Sequence, residues 1–325
     1  MPVDFELLKK ITHGAIKIAE VEGGYGFFRM TEWQGRACLN TSQDYTHKPY
    51  STAGIRFEFV TDAKSFSVKG EFRRGASRKY SHLDVKVNGI IVQHEGTEDY
   101  FANPDFSMTV KLDGKMNKVA VYLPNMAQFV LTDLDFENAS VIDPVEKDLT
   151  MVCWGDSITH GYDAFYPSLS YANQLADGLN AEMYNKGIGG EIFNPLYFDE
   201  VELVKPDIIT IAYGTNDWNK RSEADLKRNV RGFLEKITSI YSESAIYLIV
   251  PIWRADTDRV TGAGTFDNAR GIIFDTCKAF PMVNVIDGME LLPHETGFFK
   301  DQYLHPNDLG FMFMAKKLLE YIRKP

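Results

Sequence analysis

The chain has 325 residues, of which 44% are hydrophobic and 25% are charged, a composition typical of a globular protein. Its formal net charge of -10 argues against a nucleic-acid partner, because nucleic-acid-binding proteins present basic surfaces. No leader-like segment and no apolar run long enough to span a bilayer is visible, so we predict a cytoplasmic protein without a membrane partner. The three cysteines form neither a disulfide framework nor a metal-ligand spacing, and we expect no metal and no cofactor.

Residues 1–145 have the pattern of short antiparallel strands. Polar and apolar residues alternate at 55–60, 65–70, 83–89, 118–123 and 130–136. Alternation with a period of two marks a strand with one buried face, and Asn88-Gly89 is a strong indication of a hairpin turn. Several short strands at regular spacing predict a β-sandwich, for which a jelly roll is one arrangement. We therefore predict an accessory β-sandwich domain at 1–145.

Residues 146–325 alternate apolar, strand-like runs with helical patterns. The runs lie at 149–154, 207–213, 245–252 and 283–286, and the predicted helices at about 170–180, 222–241, 266–280 and 308–324. Apolar strands separated by helices indicate a parallel sheet covered on both faces, which is a three-layer, flavodoxin-like α/β domain. Sites in such sheets form at the carboxyl ends of the strands. Ser157 and Asn216 each follow one of the predicted strands, so both fall on that edge.

A serine and a histidine are candidates for nucleophile and base. Ser157 ends the tripeptide Gly-Asp-Ser at 155–157, where a helix cap or turn residue is the ordinary alternative. A serine hydroxyl becomes a nucleophile only with a base that accepts its proton. His305 is the best base among the seven histidines, because it precedes the last helix with Asp301 four residues before it. His160 is too close to Ser157 in sequence to reach its hydroxyl, and we interpret it as a polar residue at a helix start or site rim.

Three groups could stabilise the negative charge that develops on an acyl oxygen. They are the backbone N–H groups of Ser157 and Gly190 and the side-chain amide of Asn216. Glycine suits such a position because no side chain blocks close approach. The glycines at 187, 189 and 190 could instead form a tight turn, and Asn216 with Asp217 could form a helix cap. A dinucleotide-binding loop does not fit, since its third glycine would stand at Ile192.

Taken together, these segments resemble the four blocks of the SGNH, or GDSL, hydrolase family, in the family's order. The blocks correspond to Gly-Asp-Ser at 155–157, Gly190, Gly-Thr-Asn-Asp at 214–217 and His-Pro-Asn at 305–307, and the resemblance covers residues 148–325. It implies Ser157 as nucleophile, His305 as base and an oxyanion hole from Ser157, Gly190 and Asn216.

One departure from the family concerns the acid of the triad. The family's acid lies three residues before the histidine, where this chain has Gln302. The acid is then Asp301, one residue further back, which an extra residue in the loop could still deliver to His305. Alternatively, a backbone carbonyl orients the imidazole and the site is a Ser–His dyad.

The order of a β-sandwich followed by this hydrolase domain resembles the carbohydrate esterase family 2 deacetylases, which implies acetyl groups on sugars as substrate. Trp218, Trp253 and Arg254 follow predicted strands at the site edge, where an aromatic ring can stack on a sugar or serve as core or rim. We predict a serine esterase that hydrolyses short O-acyl esters, with carbohydrate acetyl esters as the leading class. The alternatives are an acyltransferase or thioesterase with the same residues, and an inert carbohydrate-binding protein. The sequence does not predict the oligomeric state.

Overall fold

The computed structural model describes residues 4–200 and 204–322, which form two compact units. The first unit contains the described residues up to Met30, together with His47–Lys147 and Tyr166–Ser168. The second contains Thr31–Thr46, Asp148–Phe165 and the described residues from Leu169 onward. Two short segments do not follow the order of the sequence. Thr31–Thr46 belongs to the second unit although it lies in the first part of the chain, and Tyr166–Ser168 belongs to the first unit although it lies in the second part. None of the described helices is long and apolar enough to cross a membrane.

The described part of the first unit is built from antiparallel strands, one short α-helix, α1 (Phe5–Ile11), and a 3-10 turn at Lys48–Tyr50. Its strands are β1 (Thr12–His13), β2 (Lys17–Val21), β3 (Gly24–Phe28), β4 (Arg56–Thr61), β5 (Ser65–Arg74), β6 (Ser81–Val87), β7 (Ile90–Thr97), β8 (Asp105–Lys111), β9 (Asn117–Tyr122), β10 (Ala127–Glu137) and β11 (Ile142–Pro144). One sheet has the order β1-β4-β9-β6-β7, with β11 also paired to β4. The other has the order β2-β3-β10-β5-β8.

The two sheets bury their inner faces in one aromatic core. The Phe59 ring of β4 lies 5.5 Å from Phe66 of β5 and 5.0 Å from Phe136 of β10, which belong to the opposite sheet. The two-residue turn between β6 and β7 is the predicted Asn88-Gly89, and both residues have positive φ, 50° and 84°, as a type I′ turn requires. The prediction of an all-β sandwich in this part of the chain is confirmed.

The second unit is a parallel sheet with helices. Its strands are β12 (Leu149–Gly155), β13 (Ala181–Gly187), β14 (Ile208–Ala212), β15 (Ala245–Ile249) and β16 (Val283–Ile286). Its helices are α2 (Glu32–Ala37), α3 (Ser157–His160), α4 (Tyr171–Leu179), α5 (Thr215–Lys220), α6 (Glu223–Ile240), α7 (Phe266–Cys277) and α8 (Asp308–Tyr321). Residue 324, where the sequence predicted that the last helix ends, lies outside the described residues.

The strand order β13-β12-β14-β15-β16 places the first strand of the unit between the second and the third, as in flavodoxin-like domains. The last residue of β12, Gly155, pairs with Gly187 of β13 and with Ala212 of β14. The loops after these three strands therefore start side by side at the carboxyl edge, at the switch point where such sheets form their sites. The predicted α/β class is confirmed for this unit.

Side chains of β12 alternate between two cores. Met151 and Cys153 pack with residues of α4 and α8, such as Leu175 and Met314, on one face of the sheet. Trp154 contacts the Phe233 ring of α6, with centroids 6.3 Å apart, on the other. Burial on both faces explains why this strand is almost continuously apolar. The strand β13 was not predicted. It is an edge strand, and in its sequence, Ala-Glu-Met-Tyr-Asn-Lys-Gly, apolar residues alternate with polar ones.

Candidate active site

Ser157 begins α3 immediately after β12. The Asp156 carboxylate caps this helix by accepting a hydrogen bond from the Ile158 N–H at 2.9 Å. Burial raises the pKa of Asp156 to about 6, although the Ile158 hydrogen bond acts in the opposite direction. A Cβ atom on Gly155 would lie 2.0 Å from the Thr159 hydroxyl oxygen, so the tight strand-to-helix turn that presents Ser157 requires glycine there.

His305 lies in the loop before α8 and contacts two of the predicted partners. Its Nε2 is 2.8 Å from the Ser157 Oγ, and its Nδ1 is 2.7 Å from the Asp301 Oδ2. A proton on Nδ1 can be donated to the carboxylate, which leaves Nε2 to accept the proton of the serine hydroxyl. The imidazole also stacks on the Tyr162 ring, with centroids 5.7 Å apart. The structure thus brings Ser157, His305 and Asp301 into one hydrogen-bonded chain.

The Asp301 carboxylate is held by the backbone as well as by the imidazole. Its Oδ1 accepts hydrogen bonds from the N–H groups of Tyr303, Leu304 and His305 at 3.0, 2.8 and 3.1 Å. Partial burial raises the pKa of Asp301, but the hydrogen bonds from His305 and Leu304 outweigh it and hold the pKa well below its usual range. Gln302, the extra residue relative to the family spacing, has a left-handed φ of 57°. The additional residue is therefore accommodated in a tight turn, and a carboxylate contacts Nδ1.

A second carboxylate lies close to the imidazole. The Asp163 Oδ2 is 3.5 Å from the His305 Nδ1, beyond ordinary hydrogen-bond distance, and the Asp163 side chain is buried. Asp163 follows α3 in a left-handed conformation, with φ 67°. This residue was not among the predicted site residues, because a carboxylate six positions after Ser157 carries no local indication that it faces the base.

Gly190 lies in the loop after β13 and has a left-handed φ of 87°. A Cβ atom at this position would be 2.4 Å from the phenolic oxygen of Tyr45, so a side chain is excluded by space as well as by conformation. The N–H of Ile188, in the same loop, donates to the Gly155 carbonyl at 2.9 Å. The loop is thereby tied to the turn that presents Ser157.

Asn216 and Asp217, in the first turn of α5, bind the same loop. The Asn216 Nδ2 donates to the Glu191 carbonyl at 3.0 Å, which uses one of its two N–H groups. Both carboxylate oxygens of Asp217 lie 3.3 Å from the Phe193 N–H. Burial raises the pKa of Asp217 to about 7. Residues 190–193 are therefore held against the helix that carries the predicted oxyanion donor.

His160 is fully buried at the end of α3. Its Nδ1 accepts a hydrogen bond from the Gly189 N–H at 3.3 Å, and its ring meets the Tyr162 ring edge-on at 5.1 Å. The side chain therefore supports the glycine loop beside Ser157.

The structure does not support substrate binding by Trp218 or Arg254, because both side chains are fully buried. The Arg254 guanidinium lies between the Trp218 and Tyr303 rings, 4.8 and 4.9 Å from their centroids. It donates to the Thr215 hydroxyl at 2.8 Å and pairs with Asp256 at 2.6 Å. These contacts link α5, which carries Asn216, to the loop of His305.

Trp253, the third residue predicted to bind substrate, remains partly exposed at the carboxyl edge of the sheet. Its ring is parallel to that of His294, with centroids 5.7 Å apart.

Lys220 and Tyr45 are further site residues that the sequence analysis missed. The Lys220 Nζ donates to the Gly190 carbonyl at 2.6 Å and lies 2.9 Å from the Tyr45 hydroxyl. Lys220 could have been found, because it stands four residues after Asn216 and residues so spaced share a helix face. Tyr45 is 175 residues away from Lys220, and no local pattern connects them.

Comparison with known proteins gives a family match for part of the chain. Residues 153–312 match the family described as GDSL-like lipase/acylhydrolase. Comparison with curated protein sequences gives no significant match.

Several solved structures share the fold. The salicylyl-acyltransferase SsfX3, from a tetracycline biosynthetic pathway, superposes with a TM-score of 0.77 at 20% identity, covering 95% of this chain and 92% of its own. A candidate GDSL-like lipase from Bacteroides ovatus has a TM-score of 0.75 at 16% identity, covering 99% and 96%. A family two carbohydrate esterase from Clostridium thermocellum, solved with cellohexaose, has a TM-score of 0.65 at 17% identity, covering 84% and 92%. At these identities the likeness concerns the fold, whereas the family match includes the segments of Ser157, Asn216 and His305. Residues 153–312 are therefore a GDSL-like lipase/acylhydrolase domain.

Proposed function

We propose that the protein is a serine esterase that hydrolyses short O-acyl esters, with acetyl esters of carbohydrates as the leading substrate class. The observation that carries the proposal is the continuous chain of hydrogen bonds from Ser157 through His305 to Asp301. Side chains in this order are a nucleophile, a general base and the group that orients the base. The acylhydrolase family of the domain fits this reaction class.

In the first half of the proposed reaction, the Ser157 Oγ attacks the acyl carbon while its proton passes to the His305 Nε2. The ionised Asp301 stabilises the imidazolium that forms. The tetrahedral intermediate then collapses, the ester C–O bond breaks, and the leaving alcohol takes the proton from Nε2. In the second half, water adds to the acyl-enzyme with His305 again as base, which releases the acid and restores Ser157.

The oxyanion of each tetrahedral intermediate is assigned to the N–H groups of Ser157 and Gly190 and to the Asn216 amide. Two facts support this assignment. Ser157 is the first residue of α3, where backbone N–H groups have no partner within the helix. The Asn216 amide donates a hydrogen bond to the carbonyl of Glu191, the residue that follows Gly190. Preorganised donors of this kind typically contribute about 10²–10³ in rate each.

The carbohydrate assignment rests on the fold shared with the Clostridium thermocellum esterase and on Trp253. Among the three residues predicted to contact substrate, Trp253 retains exposed surface, and it follows β15 at the carboxyl edge of the sheet. We propose that it contributes to sugar binding. The Trp253→Ala variant should then raise KM for an acetylated oligosaccharide while leaving KM for p-nitrophenyl acetate unchanged.

Acyl transfer to an acceptor other than water is the second candidate. It is favoured by the fold shared with a salicylyl-acyltransferase over 95% of this chain. The same serine, histidine and oxyanion donors would act, and only the group that attacks the acyl-enzyme would differ. Product analysis with a sugar or alcohol added as acceptor distinguishes the two, because a transferase forms the new ester faster than the free acid.

The central experiment measures acid release from p-nitrophenyl acetate, butyrate and octanoate and from acetylated xylo-oligosaccharides. We expect acetyl esters to give the highest kcat/KM, and Ser157→Ala to lose roughly 10³-fold or more in kcat. Ser170→Ala is a matched control, because this serine is equally buried and precedes α4 without a side-chain capping bond. A serine-reactive phosphonate should label the wild type and Ser170→Ala but not Ser157→Ala.

Three results would count against parts of the proposal. No turnover and no phosphonate labelling in the wild type would favour an inert carbohydrate-binding protein. A preference for octanoyl esters would indicate a thioesterase or lipase. Loss of activity on chelation with EDTA would require a metal, for which Asp163, Asp301 and His305 are close enough to one another. The cytoplasmic location remains a prediction from the sequence.

A further inference from the structure

One face of α5 holds two successive carbonyl groups of the Gly190 loop. The Asn216 Nδ2 donates to the Glu191 carbonyl at 3.0 Å, and the Lys220 Nζ donates to the Gly190 carbonyl at 2.6 Å. Residues four apart lie on the same side of a helix, one turn from each other. The backbone on the carboxyl side of Gly190 is therefore fixed by the helix that carries the proposed oxyanion donor.

The Lys220 ammonium is itself held by Tyr45. The phenolic oxygen is 2.9 Å from Nζ, and Nζ lies 5.6 Å from the centre of the tyrosine ring. Tyr45 is buried, and its hydroxyl occupies the space that a Cβ atom on Gly190 would need. Tyr45 therefore closes one side of Gly190 and also fixes the cation that binds its carbonyl.

The segment that supplies Tyr45 also anchors the next loop residue. Thr41 donates a hydrogen bond from its hydroxyl to the Glu191 carboxylate, which also accepts from Tyr197 and from the Ile192 N–H. Glu191 is fully buried. The segment Thr31–Thr46 belongs to the same compact unit as the site, although more than 100 residues separate it from β12 in the sequence. The Gly190 loop is therefore held by hydrogen bonds from α5 and by hydrogen bonds from the segment Thr31–Thr46.

We propose that Lys220 and Tyr45 are positioning residues that hold Gly190 in the left-handed conformation in which its N–H serves the oxyanion. The inference rests on the proposed esterase function and deepens it. Neither side chain touches the ester in this assignment, and both act through the backbone of Gly190. An oxyanion donor that is already in place loses no energy to reorganisation in the transition state. A variant in which the Gly190 N–H is no longer held in position should therefore have a lower kcat and a nearly unchanged KM.

The test compares Lys220→Met, Lys220→Arg and Tyr45→Phe with Lys236→Met. Lys236 is a matched control, because its ammonium also donates to a backbone carbonyl, that of Pro195 at 3.1 Å, and pairs with an aspartate. With p-nitrophenyl acetate we expect Lys220→Met to lower kcat by about 10- to 100-fold, part of the effect of losing a whole oxyanion donor. Tyr45→Phe should lower kcat by a smaller factor, and Lys220→Arg should recover part of the loss.

Two further measurements separate positioning from a structural role. Melting temperatures of Lys220→Met and Lys236→Met should agree within a few degrees, since each variant loses one hydrogen bond from an ammonium group to a backbone carbonyl. The double variant Lys220→Met/Tyr45→Phe should lose less than the product of the two single losses, because both act on Gly190.

The outcomes also distinguish this inference from the proposed function. If the wild type hydrolyses esters and Ser157→Ala does not, yet Lys220→Met and Tyr45→Phe keep the kcat of Lys236→Met, the inference is wrong and the esterase stands. A loss confined to KM would equally overturn it, by making Lys220 a substrate-binding residue. If Ser157→Ala retains full activity, the esterase mechanism fails first, and the positioning inference fails with it.

Discussion

Replacing Asp301 by asparagine should force the catalytic imidazole into the wrong tautomer. The Oδ1 of Asp301 accepts three backbone N–H groups, so an asparagine must keep its oxygen in that position. Its Nδ2 then takes the place of Oδ2, which lies 2.7 Å from the His305 Nδ1. Two donors cannot face each other, and Nδ1 must become the acceptor. The imidazole proton moves to Nε2, which is 2.8 Å from the Ser157 Oγ and can no longer accept its proton.

The size of the loss follows from this geometry. The variant keeps the shape of the site and the oxyanion donors but loses both the general base and the charge that stabilises the imidazolium. We expect kcat for p-nitrophenyl acetate at pH 7.5 to fall roughly 10³–10⁴-fold, as for the same substitution in a serine-protease triad. This corresponds to about 4–5.5 kcal/mol in the activation free energy. KM should change little.

Asp163→Asn is the matched control, because it removes the same charge from a carboxylate 3.5 Å from the same nitrogen. Because the Asp163 Oδ2 lies beyond normal hydrogen-bond distance of the His305 Nδ1, it does not select the tautomer, and we expect a loss of less than about tenfold. Melting temperatures of both variants would exclude unfolding as the cause. Near-full activity in Asp301→Asn would refute the tautomer argument, and equal losses in the two variants would mean that net charge alone matters.

Two further predictions concern stability. Burial, reinforced by the charges of Glu191 and Asp156, raises the pKa of Asp217 from 3.8 to about 7, so the folded state binds the proton more tightly than the unfolded state. The contribution of Asp217 to the unfolding free energy should therefore decrease as pH rises from about 4 to 7, and the stability of Asp217→Asn relative to wild type should increase over the same window; urea unfolding of both proteins at pH 4.5 and pH 8 measures this difference, and a difference that does not change with pH would contradict the prediction. Arg254→Met should lower the unfolding free energy by about 1–3 kcal/mol, because it removes the buried guanidinium that binds Thr215 and Asp256. Asp256 keeps the Arg259 guanidinium and the Tyr303 hydroxyl as partners. A change below about 0.5 kcal/mol in urea unfolding would show that the Arg254 guanidinium contributes little.

Much of the fold could be predicted because its signals are local. Alternation with a period of two located β4, β5 and β6, since the apolar side chains of each of these strands pack in the core of the sandwich. Continuous apolar runs located β12 and β14, which are buried on both faces of a parallel sheet. The edge strand β13 was missed, because its apolar residues alternate with polar ones and form no continuous apolar run of the kind that marks the other strands of this sheet.

The positions of Ser157, Asn216 and His305 were also accessible from the sequence. Each lies in a short segment of recognisable composition, and the first two directly follow strands whose carboxyl ends must meet at one edge of a parallel sheet. Their proximity therefore follows from the topology. Asp301 was harder to assign, because its delivery to His305 depends on the left-handed conformation of Gln302, which the sequence pattern does not express.

Only the tertiary structure decided which side chains face the site. Trp218 and Arg254 follow strands at the expected edge, yet they are buried against Tyr303, Thr215 and Asp256. The packing of Thr31–Thr46 with the second unit, and with it the contact of Tyr45 with Lys220, joins residues 175 positions apart. Periodicity and turn composition report the local conformation of the backbone and the burial of a face. The choice of distant partners depends on how whole elements pack, and for that reason it became visible only in the folded chain.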